Sequence, residues 1–333
     1  MRILVVRNDK LGDFVMALPT FYVLKRHNPQ NQIVACVSPV NKSLALAMPF
    51  IDDVVVDNTD SSFDLAKKIK EKNIDVSITL FSNTKVAFAQ FLAGIKTRIA
   101  PATKIAQIFY TKRIKQRRSR VEKTEVLYNL DLAKALHNDI DLNYPTPLIN
   151  IENKQIIDNN FREEFNINAD KKIIAFHPGF GGTAESNWSL EEYLELANEI
   201  VENQKYKVVF TFGPGEYDLY DKAKESAHEN ILLYKSIGTP IDFANIISNF
   251  SLFISISTGA SHLASMVNTK TITFFAGKFG SSSDRWAGIS HKSSQTNLVV
   301  PIDKDEKQKR FIELKSEFKT LVQSLVSSDE TVH

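Results

Sequence analysis

The 333-residue chain has one cysteine, Cys36, so its own residues can build neither a disulfide framework nor a multi-cysteine zinc site. No apolar run approaches the roughly 20 residues needed to span a bilayer, and mean hydropathy is −0.18. Residues 1–7 form too short an apolar stretch for a signal peptide, with no small-residue cleavage site. These absences set the expectation of a protein of the reducing cytoplasm. Two nucleotide-binding signatures are also missing. A dinucleotide fingerprint needs glycines at G-x-G-x-x-G after the first apolar run, and only Gly12 is there. No G-x-x-x-x-G-K-[ST] phosphate loop occurs anywhere. NAD chemistry and P-loop hydrolysis both lose ground.

What is present is ordinary globular composition, 43% hydrophobic and 24% charged, at a length that fits two domains. Short β-branched apolar runs read as strands at 2–6, 32–37, 53–56, 75–79, 172–176, 207–212, 231–234, 252–256 and 271–275. Helical patterns lie between them at 14–26, 63–71, 190–201, 218–227, 241–248 and 261–267. Strands that are apolar almost throughout, joined by helices, form parallel sheets covered on both faces. The alternation occurs twice, interrupted between about 112 and 170 by a basic run, a helix at 125–136 and a polar stretch. The expectation is an α/β chain of two doubly wound, Rossmann-like domains, 1–150 and 151–333. The tail at 304–324 carries Phe311, Leu314, Phe318, Leu321 and Leu325 at helical spacing, one apolar stripe that packs back on the body.

Charge is unevenly spread. Residues 96–123 hold ten lysines and arginines against one acid, Glu122, a net +9 in a chain whose total is +2, so the remainder carries −7. The segment is either a solvated loop or a footprint for an anion such as phosphorylated lipid headgroups. Nucleic acid is poorly served, because only Phe109 and Tyr110 are there to stack on bases.

Ligands of open parallel sheets bind beyond the carboxyl ends of the strands, so the loops after strands hold the candidates. In 7–13, Asp13 precedes Phe14, Leu18 and Phe21 where a helix begins, with Pro19 set to kink or restart it. Asp13 reads as an N-cap, or as a carboxylate that takes a proton from an acceptor hydroxyl. Lys10 reads as a surface lysine or a counter-charge. In 176–183, Gly179, Gly181 and Gly182 make either a tight turn or a backbone cradle. Trp188 reads as a packing anchor, and Ser189 with Glu192 as a capping box. In 255–262 an apolar strand ends, a small turn follows and a helix opens, presenting amides suited to a pyrophosphate. Thr258 and Ser261 add hydroxyls and His262 lies on the first turn; a plainly capped strand–turn–helix is the alternative. Glu216 can accept from a ribose diol or serve as a first-turn acid, and Lys278 and Arg285 can supply positive charge.

Lys10-Leu11-Gly12-Asp13 with Leu18-Pro19, His177-Pro178-Gly179 with Trp188, and Ser257-Thr258-Gly259 before His262-Leu263-Ala264 resemble glycosyltransferase family 9. These are the ADP-heptose:lipopolysaccharide heptosyltransferases. The resemblance runs in order over nearly the whole chain and includes residues 93–99. It implies a GT-B fold and an inverting transfer with no metal and no cofactor beyond the donor, ADP-heptose. By position it makes Asp13 the general base. Thr258 and Gly259 would hold the donor diphosphate with Ser257 and His262 nearby, Glu216 the ribose, and Thr183, Ser186 and Lys278 would lie against the donor. Lys10, Gly12, Arg117, Arg118 and Arg120 would face the acceptor, a lipopolysaccharide core sugar on lipid A at the inner membrane surface. A monomer, cytoplasmic or peripheral on that membrane, is the matching expectation. Two positions depart from the family pattern: Ser186 stands where many members have lysine, and Ser257 where many have aspartate. They leave open another nucleotide sugar, or a relative that binds nucleotide sugar without turnover.

Overall fold

The computed structural model describes residues 1–103, 105–179 and 187–327. The chain divides into two units, Met1–Pro145 and Thr146–His333, where the sequence placed the boundary at 150.

The first unit has a six-stranded parallel sheet of β1 (Arg2–Val6), β2 (Gln32–Val37), β3 (Asp53–Val56), β4 (Val76–Thr79), β5 (Thr97–Pro101) and β6 (Lys112–Ile114). Their spatial order is β3-β2-β1-β4-β5-β6. The second unit has β7 (Lys172–His177), β8 (Tyr206–Phe212), β9 (Leu232–Lys235), β10 (Leu252–Ile256), β11 (Thr271–Ala276) and β12 (Gln295–Val300). Their order, β12-β11-β10-β7-β8-β9, is the same topology read from the other edge. Each unit is therefore a doubly wound sheet with the 3-2-1-4-5-6 order of dinucleotide-binding folds. The expected α/β architecture stands.

Central strands have no solvent face, which is why they are apolar at successive positions. Leu4, Val6, Val34 and Cys36 pack on Leu65, Ile69, Val86 and Ala89 of the helices Ser62–Lys70 and Thr84–Leu92. In the second unit Ile174, Phe176, Phe210, Ile254 and Phe274 pack on Trp188, Tyr193 and the helix Lys304–Ser327. That helix buries Phe311, Leu314, Phe318, Val322 and Val326. The stripe thus continues through Val322 and Val326, while Leu321 and Leu325 are partly buried beside it.

In such a sheet, the neighbouring strands whose connections run in opposite directions open a crevice at their carboxyl ends. Here those pairs are β1 with β4, and β7 with β10. The loops after β1, β7 and β10 hold three of the stretches singled out from sequence. Pro19 restarts a helix as expected: Leu11–Val15 ends, and Leu18–His27 begins with Pro19 at its start, where a missing N–H costs nothing.

Candidate active site

Arg7 directly follows β1, with its backbone N–H bonded to Cys36 O at 3.0 Å. Its side chain is 2% exposed, so the guanidinium must be matched by acids or destabilise the fold. Four groups match it. Nε donates to Asp9 Oδ1 at 2.8 Å, Nη2 to Asp13 Oδ1, and Nη1 to Glu125 Oε1 at 2.9 Å and Asn129 Oδ1 at 3.4 Å. Glu125 opens the helix Glu125–Leu136 and also accepts from Arg118 Nη1. Asn129, one turn on, donates from Nδ2 to Met16 O at 3.2 Å. The long-range helix thus holds the arginine, and the arginine holds the two aspartates.

Burial alone would lower the Arg7 pKa, but Asp9, Asp13 and Glu125 together raise it above its ordinary value. Asp9 behaves oppositely. Burial pushes it up to about 6 and Asp13 adds to the rise, against the pull of Arg7. Two guanidiniums facing three carboxylates leave one surplus negative charge, and Asp9 is where it is least supported. Asp13 lies inside the first helical turn. The N-cap position belongs to the exposed Lys10, whose side chain makes no capping bond. The Asp13 carboxylate is therefore committed to Arg7 rather than to a cap, and its side chain is 19% exposed. A carboxylate oriented by a fork and still open to solvent can accept a proton.

In the second unit, His177 ends β7 and is buried. Its Nδ1 lies 3.0 Å from Thr211 Oγ1 and its Nε2 3.5 Å from Glu216 Oε2. Burial holds this imidazole below its ordinary pKa, although Glu216 pulls it up. Glu216 occupies the N-cap position of the helix Tyr217–Ser226 and accepts from Gly213 N–H at 2.7 Å. A side chain at Gly179 would place Cβ 1.8 Å from Glu216 Oε1. The glycine is there because the glutamate needs its space.

After β10, Thr258 caps the helix Gly259–Met266. Ser261 Oγ accepts from Thr258 N–H at 3.0 Å and donates to Thr258 O at 2.8 Å, locking the turn. The N–H groups of a first helical turn have no intrahelical acceptor and carry the positive end of the dipole. Ser257, Thr258 and Gly259 are partly exposed, whereas His262 is buried. Lys278, after β11, is exposed, and the Arg285 guanidinium stacks 4.7 Å from the Trp286 ring.

The model of Glycosyltransferase family 9 (heptosyltransferase) matches residues 62–315. A Haemophilus influenzae protein described as "Putative glycosyltransferase" is 38% identical, across 91% of this chain and 90% of its own. The chain belongs to glycosyltransferase family 9. A Campylobacter jejuni lipooligosaccharide heptosyltransferase 2 is 20% identical, across 90% of this chain and 89% of its own. The solved structure of Escherichia coli ADP-heptose lps heptosyltransferase II superposes with a TM-score of 0.80 at 18% identity, covering 99% of this chain and 100% of that one. The fold is GT-B, and the family 9 chain is a glycosyltransferase.

Within this family 9 enzyme, the residues chosen from sequence distribute as follows. Lys10, Gly12 and Asp13 share one turn, with Gly12 buried. Ser257, Thr258, Gly259 and His262 share another. Thr183 and Ser186 lie outside the described residues. The three arginines do not act alike. Arg117 and Arg120 are exposed. Arg118 is drawn inward onto Glu125, with its guanidinium 5.5 Å from the Tyr128 ring centroid. Arg117 also lines a depression of about 340 Å³ with Lys115, Lys123, Tyr128 and the acids Glu122 and Asp131, of which Asp131 pairs with Lys123 at 2.7 Å. Sequence reasoning missed Arg7, Asp9, Glu125 and Asn129. An arginine closing an apolar strand was the one available signal.

Proposed function

We propose that this enzyme moves a heptose from ADP-heptose to an inner-core sugar of a lipopolysaccharide acceptor, with inversion at the anomeric carbon and without a metal. Asp13 accepts the proton of the acceptor hydroxyl as its oxygen bonds to the anomeric carbon. The bond from that carbon to the diphosphate breaks, and ADP departs. Its charge is met by the amides that open the helix Gly259–Met266, beside Thr258. Glu216 holds the ribose, and Lys278 adds charge at the donor. Arg117 and Arg120 meet phosphates of the acceptor lipid, and the enzyme works as a cytoplasmic monomer at the inner membrane surface, a reading that the exposure of both arginines supports.

The observation that carries this reading is the Asp13 carboxylate held by buried Arg7 in the loop after β1 of a family 9 chain. Supporting it, the Escherichia coli structure is of an ADP-heptose lps heptosyltransferase and the Campylobacter protein is a lipooligosaccharide heptosyltransferase. A second reading, transfer from another nucleotide sugar, is favoured by the uncharged Ser257 beside the helix tip. Incubation with ADP-heptose, or with other nucleotide sugars, and truncated core acceptors in the presence of a chelator separates the two. Heptose transfer with inverted anomeric configuration is expected. Transfer from a different donor alone supports the second reading, and binding without turnover contradicts both.

A further inference from the structure

Residues 76–121 run for 46 positions without an aspartate or glutamate while carrying ten lysines and arginines. Aromatic rings gather on the same stretch and on the neighbouring helix Ser62–Lys70. Phe88 lies 6.0 Å from Phe63, 6.3 Å from Phe91 and 5.2 Å from Phe109 between centroids, and Phe91 lies 5.8 Å from Phe109. The outward members are open to solvent: Phe63 is 69% exposed and Phe91 50%. In the short turn Ile105–Phe109, Ile105 is 71% and Ile108 61% exposed. Singly scattered apolar side chains are normal on a surface, but four connected rings, with two exposed isoleucines on the same turn as Phe109, are more than scatter and mark a place where something binds.

The charges identify what binds. The Arg98 guanidinium lies 5.6 Å from the Phe91 ring and donates to the backbone carbonyls of Phe109 and Ile95, Lys112 donates to Ala135 O, and Lys96, Lys112 and Arg113 are exposed on or beside the paired strands β5 and β6. A partner for this face must be negatively charged and must also accept aromatic and branched apolar side chains. A bilayer of anionic lipids offers both at one surface.

We propose that this face of the first unit seats on an anionic lipid bilayer, with Phe63, Phe91, Ile105 and Ile108 entering the boundary between headgroups and acyl chains. The proposal rests on the reading that the acceptor is a lipid, and it extends that reading from phosphate contacts at arginines to apolar insertion. Insertion makes binding only partly sensitive to salt, because buried apolar area is not screened.

The test is flotation of the full chain with vesicles of phosphatidylglycerol and phosphatidylcholine, with transfer to a water-soluble acceptor lacking acyl chains measured in parallel. Wild type floats with the anionic vesicles. Ile105→Ser/Ile108→Ser lowers the partition coefficient about tenfold or more, and Phe63→Ser lowers it in the same direction. Melting temperature and turnover on the soluble acceptor stay at wild-type values in both variants. Failure of wild type to float overturns the proposal, as does undiminished binding by the variants. A dimer in sedimentation velocity that the double variant dissolves also overturns it, by assigning the face to a second copy of the chain. Absence of transfer on the soluble acceptor in every variant, with vesicle binding intact, refutes the assigned activity and leaves the docking face standing.

Discussion

Arg7 Nη1 and Glu125 Oε1 lie 2.9 Å apart, both almost wholly buried, although 118 residues separate them. This pair fastens the loop after β1 to the helix Glu125–Leu136, and Asp13 takes its orientation from the same guanidinium. Removing one member of a buried ion pair leaves the other charge uncompensated, at a cost of about 3–5 kcal/mol. Arg7→Met is expected to lose about that much in urea denaturation, with Arg7→Lys falling between. A loss below about 1 kcal/mol in Arg7→Met would show that the acids find other partners.

Asp9 gives the site a pH dependence whose sign follows from its raised pKa. The folded chain holds that proton up to about pH 6, whereas the ordinary carboxyl value is 3.8. Between about pH 4 and 6 the folded state therefore binds more protons, and this group's contribution to stability declines as pH rises. Above pH 6 the cost is complete, at most about 3 kcal/mol from two pK units. In Asp9→Asn, the slope of unfolding free energy against pH across that window becomes more positive than in wild type. Identical slopes would place the proton elsewhere.

Gly179 and Glu216 compete for one volume, so Gly179→Ala must turn the glutamate away from Gly213 N–H and His177. The displaced atoms are the far end of a flexible side chain, so the fold changes little. Donor binding should weaken about tenfold, the worth of one charged hydrogen bond, as read by calorimetry with ADP-heptose. A variant that binds donor like wild type would remove Glu216 from the donor site.

The basic segment separates into arginines that hold the fold and arginines that face outward. Arg118→Glu sets an acid against buried Glu125 and should lower the melting temperature by several degrees. Arg117→Glu and Arg120→Glu should melt like wild type and raise KM for the lipid acceptor. The increase should shrink at high salt, where exposed charges are screened over about 8 Å or less. Equal effects of all three reversals on stability would contradict this division.

The central strands were legible because burial on both faces forces continuous apolar runs: β1, β2 and β10 have the bounds their sequences predict, and the edge strand β3 does too because Val54, Val55 and Val56 make an apolar run of their own. β5, β6 and β12 were not, for a physical reason. β6 and β12 are sheet edges, and β5, one strand in, carries Arg98 and ends on Pro101. A half-exposed strand needs no continuous apolar signature. The helix Lys154–Glu164 was hidden similarly: Phe161 is its one fully buried side chain. Among the candidate residues, Asp13 in the first unit and the turn 257–259 in the second stood out as short motifs after strands. Arg7 was not, because its meaning depends on Glu125 and Asn129, which only the fold brings to it. Arg118 was grouped with its neighbours, since charge alone cannot distinguish a cation facing solvent from one over a buried glutamate.

The most direct test is single-turnover transfer by Asp13→Asn. Asparagine still accepts from Arg7, so melting temperature and ADP-heptose affinity should stay near wild type. The rate should fall about 10²–10⁴-fold, the usual worth of a positioned base. A folded Asp13→Asn enzyme that transfers sugar at the wild-type rate would contradict the role of this carboxylate.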